Sequence, residues 1–152
     1  MRFKYLFIGI LILIMVTSVG AIAAADDYES VGDYTFDIPD GYQVIDKDNV
    51  SVGMELDEDH TVLVYELDSV GDISVFKTML ETAGCQFGDE QNLKVGNFDV
   101  IQSSYKLEDT QGYFYICNDG GKPIVVAEGM PASEELPAVE DGPAYQVISS
   151  LE

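Results

Sequence analysis

From Tyr34 onward, short runs of apolar and polar residues alternate, the two-residue period of strands that bury one face. Tyr34, Phe36 and Ile38 alternate with Thr35 and Asp37 before the turn sequence Pro39-Asp40-Gly41. Val50, Val52, Met54 and Leu56 alternate with Ser51, Gly53 and Glu55, and Thr61 to Leu67 is again strand-like. These two runs predict a hairpin whose tip is Asp57-Glu58-Asp59-His60. The period then changes. Between Asp72 and Gly84, Phe76, Met79, Leu80 and Ala83 fall at helical spacing, with Asp72 as the expected N-cap and Gly84 as the stop.

Beyond that helix the strand pattern resumes. Leu93 and Val95 lead into Gly96-Asn97, a two-residue hairpin signal, and Phe98 to Leu107 runs on. Along it Ile101, Ser103, Tyr105 and Leu107 face away from Gln102, Ser104 and Lys106. Tyr113 to Cys117 and Pro123 to Ala127 flank the turn Asn118-Asp119-Gly120-Gly121. A short helical segment is expected near Ala132 to Leu136. A last helix is expected from Pro143, with Ala144, Ile148 and Leu151 on one face. Strands, helix, meander and helix in that order predict an α+β fold: an antiparallel β-sheet with one central and one C-terminal helix packed on it.

A different pattern precedes all this. Arg2 and Lys4 open the chain, Tyr5 to Val16 is an uninterrupted apolar run, and small residues fill Thr17 to Ala25. These are the three regions of a secretory signal peptide. Ala21/Ala23 and Ala23/Ala25 both suit the signal peptidase, so cleavage before Ala24 or Asp26 is expected. The competing reading is an uncleaved anchor helix, because residues 5–25 would span about 32 Å as a helix. Both readings divide the chain into a signal peptide or signal anchor at 1–25 and a single acidic domain at 26–152. Both also place that domain outside the cytoplasm, secreted or on the outer face of a membrane. Only the second keeps a membrane contact, through residues 5–25.

Charge narrows the partners. All 28 acids fall after residue 25, with five lysines and no arginine, leaving the domain at −23. That excludes nucleic acid, whose phosphates need clustered Lys and Arg, and argues against adhesion to anionic lipid. The expected partner is a protein or envelope component that is basic or bridged by cations. A saline habitat, in which salt screens the repulsion, would account for the same charge.

The run Tyr34-Thr35-Phe36-Asp37-Ile38-Pro39-Asp40-Gly41-Tyr42 resembles the opening strand of the PsbP-like group, which ends in Ile-Pro-x-Gly-aromatic. The closing helix with Ile148-Ser149-Ser150-Leu151 is similar too, as is the strand–helix–meander order over most of residues 33–152. The group takes its name from an extrinsic protein of photosystem II. The resemblance implies a small α+β module that is accessory and non-enzymatic, and it carries over no functional residues.

Few residues suggest chemistry. Cys85 and Cys117 are the only cysteines. An exported pair invites a disulfide closing a 33-residue loop, with a chain-entropy contribution of about 3.7 kcal/mol. The alternative is two separate buried thiols. Among the acid clusters, Asp57, Glu58 and Asp59 are the candidate ligands if a divalent cation, calcium first, is bound; the competing reading is a solvated turn. None of the clusters has the alternating Asp-x-Asp-x-Asp-Gly order that converges calcium ligands locally. A small secreted hydrolase would have to gather the single His60 with a carboxylate and a Ser or Cys. Asn49-Val50-Ser51 is an acceptor pattern for glycosylation at Asn49. The leading expectation is an exported, strongly acidic, non-enzymatic binding or accessory module. An extracellular cation-binding domain is the first alternative and a hydrolase the second.

Overall fold

The computed structural model describes residues 27–152, so the signal or anchor segment lies outside the described residues. Among the described residues, ten strands and two helices follow in chain order. A small hairpin, β1 (Tyr28–Val31) and β2 (Tyr34–Asp37), stands apart as its own two-stranded sheet. The remaining strands are β3 (Gln43–Lys47), β4 (Ser51–Glu55), β5 (Thr61–Glu66), β6 (Gln86–Phe87), β7 (Gln91–Val95), β8 (Phe98–Leu107), β9 (Thr110–Asn118) and β10 (Ile124–Pro131). They form one antiparallel sheet in the order β3-β4-β5-β10-β9-β8, with β6 and β7 end to end along the far edge of β8. Helix α1 (Asp72–Thr82) follows β5, and α2 (Pro143–Ser150) follows a 3-10 turn at Val139–Asp141. The α+β architecture read from the periodicity is the one observed.

Alternation along the strands sends side chains to two separate cores. On β9, Phe114 and Ile116 go to one face, and Tyr115 and Cys117 to the other. The first face is covered by α1 through Phe76 and Leu80, with Phe76 stacked between Tyr65 and Phe114 at centroid distances of 5.8 and 6.2 Å. The second is covered by the β1–β2 hairpin and by Ala144, Val147 and Ile148 of α2. The chain end is tied down as well: Thr35 and Glu152 exchange backbone hydrogen bonds of 3.0 Å, so α2 is clamped to β2.

Several details differ from the sequence reading. Strand β1 and the edge strand β3 were not expected, and neither was the short β6. Residues Ala132 to Leu136 are irregular and hold no helix. Pro131 and Pro137 bracket that stretch, a single turn closes from Glu134 N–H to Pro131 O at 3.1 Å, and Gln111 takes the Glu134 carbonyl, so no helix propagates. At the start of α1, Gly71 is the N-cap, while Asp72 is the first helical residue and accepts from Ser69 Oγ at 2.7 Å. Gly84, at φ 101°, does end the helix. Met79 was expected on the buried stripe but is 41% exposed. The stripe that meets the sheet is narrower, formed by Phe76 and Leu80 with Ile73 alongside.

Candidate functional site

At the β4–β5 tip, Asp57 turns back on its own hairpin. Its Oδ1 accepts from the N–H groups of Asp59 and His60 at 2.8 and 2.9 Å and lies 2.9 Å from His60 Nδ1. The other ring nitrogen, Nε2, lies 3.0 Å from Glu134 Oε2, across the gap to the chain after β10. A neutral imidazole carries one N–H, so two carboxylate contacts call for the doubly protonated ring. Burial opposes that charge, and the hydrogen bonds to Asp57 and Glu134 outweigh it, so the ring's pKa is raised. Such a ring has no lone pair to offer a hydroxyl or thiol, and the hydrolase arrangement is not assembled around His60. Nor do the acids converge as ligands. Glu58 is exposed, and among the described residues no group of three or more His, Cys, Asp or Glu is arranged to hold a metal ion.

The cysteines occupy the two different cores. Cys85, after α1, lies in the core beneath that helix, and Cys117 on β9 lies in the core beneath α2. Both are buried free thiols, with the sheet between them, so the expected disulfide gives way to its alternative. Burial pushes the Cys85 thiol up to about 11, with Glu81 adding to it, and pushes Cys117 up as well. Neither is a thiolate at neutral pH. Asn49 is exposed on the turn between β3 and β4.

Two buried carboxyls escaped the sequence reading. Glu66 ends β5 with a side chain 4% exposed; its Oε1 meets Lys122 Nζ at 3.2 Å, and Asp68 stands 3.8 Å from the same nitrogen. Beside them Tyr34 OH donates to Asp119 Oδ1 at 2.8 Å. The Gly121 N–H and this hydroxyl hold Asp119 below the usual carboxylate range. Glu128 lies on β10, 3% exposed, and its Oε2 accepts from Ala144 N–H at 3.0 Å. The signal for both was parity. Glu66 continues the inward series Val62, Val64, and Glu128 continues Ile124, Val126. An acid in phase with a buried series is an acid placed in the core.

One surface is conspicuous for lacking charge. On the outer face of α1, Val75 and Met79 are 57% and 41% exposed, one turn apart, and Val70 just before the helix is 56% exposed. Ser74, Thr78 and Thr82 fill the rest of that exposed face without a charge. Acids flank it in the chain: Asp68 ahead of the helix, and Asp72 and Glu81 on the helix itself. The nearest cation, Lys77, is turned aside to Glu90 at 2.5 Å and over the Phe87 ring at 4.8 Å.

No family model matches the sequence, and no curated protein matches it. Solved structures do. The solution structure of cyanobacterial PsbP (CyanoP) from Synechocystis sp. PCC 6803 is similar at a TM-score of 0.58 and 14% identity, over 91% of this chain and 98% of that one. The chain has the PsbP-like fold. A crystal structure from Bacteroides thetaiotaomicron VPI-5482 is similar at a TM-score of 0.52 and 12% identity, over 78% of this chain. This chain covers 44% of that one. At these identities the likeness concerns the layout of sheet and helices. The resemblance read from Tyr34 to Tyr42 and from the closing helix agrees with it.

Proposed function

We propose that this chain is an exported, non-enzymatic accessory module that binds a basic protein or envelope component through the outer face of α1. The observation that carries the reading is that face. Val70, Val75 and Met79 stand uncharged and exposed among acids that flank them in the chain, on a domain at −23. Apolar contact adds to the affinity, and pairing of the flanking carboxylates with Lys and Arg around it supplies the salt-sensitive share that the complex depends on. The PsbP-like fold adds support by analogy, since the resemblance implies accessory roles. Export rests on the basic start, apolar run and small-residue end of residues 1–25.

The test is to fractionate cells of the native host carrying the tagged full chain, then run the fraction that holds it on a sizing column. The chain should appear outside the cytoplasm, in a complex larger than itself at about 0.1 M salt, and free at about 1 M. A cytoplasmic chain, or one that elutes free at both ionic strengths, would contradict the reading.

A further inference from the structure

Among the described residues, no positive charge acts on Glu128. Tyr113 and Tyr115 approach it from β9 and Tyr42 from the loop before β3, while Glu140 of the 3-10 turn acts on the same two β9 tyrosines and Asp57 on Tyr42. Tyr105, across the sheet, donates to its backbone carbonyl at 2.8 Å. The carboxyl itself makes the single hydrogen bond from Ala144 N–H, and Oε1 is buried with no partner among the described residues. The Tyr115 hydroxyl is likewise buried and unpartnered.

What covers this carboxyl is backbone. A methyl at Gly142 would fall 2.7 Å from Oε2 and 3.0 Å from Oε1, so the chain passes directly over it. Gly142 ends the connector 132–142, which runs from β10 to α2 with little regular structure. It is held by Ala132 N–H to Asp109 O at 2.7 Å, Gln111 Nε2 to Glu134 O at 2.6 Å, Tyr113 OH to Pro137 O at 2.8 Å, the His60–Glu134 pair, and Val139, which packs partly buried against the core beneath α2. A neutral acid fits in such a place. A carboxylate with one donor and no cation must be hydrated, and the way to water is past the connector.

We propose that connector 132–142 is a proton-held strap, closed over Glu128 while that carboxyl is neutral and lifted to hydrate it when the proton leaves. Burial pushes Glu128 up to about 7, with the Ala144 hydrogen bond pulling the other way, so the change falls near neutral pH. Lifting the strap uncovers the tyrosines of β9, while Ala144, which lies in α2 beyond the strap, keeps the Glu128 carboxylate as its acceptor. The device is thus a pH-sensitive opening between β10 and α2, on the face of the sheet opposite α1.

Hydrogen exchange on the full chain tests it, at about pH 5.5 and about pH 8.5, with rates corrected for intrinsic pH dependence. Peptides from α1 serve as the internal reference. Protection of 132–142 relative to α1 should fall about tenfold or more at the higher pH. Glu128→Gln should hold the strap at its acid-side protection throughout, and His60→Gln should keep the wild-type response. Unchanged relative protection, or a response that survives Glu128→Gln, overturns the proposal. So does a response that vanishes with His60, since it would then belong to the surface ion pair. Carboxyl NMR of the wild-type chain gives an independent reading. Glu128 should titrate near 7 together with shifts in 132–142, and a titration in the ordinary glutamate range overturns the strap.

Discussion

Gly32 and Gly96 have nearly the same backbone, with φ of 56° and 57°, yet different surroundings. Nothing lies within 4 Å of a Cβ built at Gly96, whereas one built at Gly32 would overlap the buried Glu66 carboxylate. Alanine at Gly96 therefore costs only left-handed strain, about 1–2 kcal/mol. Alanine at Gly32 adds displacement of a buried, lysine-paired carboxylate and should cost about 2 kcal/mol more. Urea denaturation of the two variants checks this, and equal losses would mean that Glu66 does not pack against the β1–β2 turn. Glu128 gives the second residue-scale prediction. Its folded pKa of about 7 exceeds the ordinary 4.5, so its stabilising contribution is complete below 4.5 and is lost as pH rises through 7. The loss amounts to about 3 kcal/mol. Glu128→Gln should remove that slope and make the protein more stable than wild type at alkaline pH; a variant with the wild-type slope would contradict it. His60, also raised, works in the same direction: its contribution is present below 6.5 and lost as pH rises through the folded value. Its pairs lie at the surface and contribute under about 1 kcal/mol.

At the scale of elements, what was legible followed from regular alternation. Strands β2, β4, β5 and β8 and helix α1 each bury a face that repeats at the strand or helix period, and the sequence displays that repeat, while β9 and β10, buried on both faces, show as apolar runs flanking turn residues. What was not legible depends on partners. Strand β1, Tyr28-Glu29-Ser30-Val31, buries only Val31 and owes its shape to pairing with β2. Strand β3 carries a bulge between Val44 and Asp46 that breaks its alternation and leaves Ile45 partly exposed at the sheet edge. The exposed face of α1 was hidden by Met79, whose spacing from Phe76 and Ala83 suits a core stripe as well as a surface. The cysteine question was also one of partners, since no local pattern says that Cys85 and Cys117 lie on opposite sides of a sheet. Their separation makes a prediction. Reductant should leave the melting temperature unchanged, and a thiol reagent should label two thiols per chain in denaturant and almost none in the native protein. A chain two mass units light that melts lower after reduction would show a disulfide instead.

At the scale of the whole molecule, the chain carries a net charge of −21, and that like charge repels itself in the folded state. Added salt should therefore raise the melting temperature, most steeply below about 0.2 M where screening changes fastest. A melting temperature that falls steadily with salt would speak against repulsion as a main cost of folding. The same charge explains why an uncharged patch on α1 stands out, and binding through that patch is the central claim. Its most direct test is the double variant Val75→Asp/Met79→Asp, which alters exposed side chains and leaves Phe76 and Leu80 on the sheet. Elution of the full chain at about 0.1 M salt is the measurement. The wild type should run as a complex and the variant as a free, folded monomer with an unchanged circular dichroism spectrum. A folded variant that still elutes in the wild-type complex would contradict docking through α1.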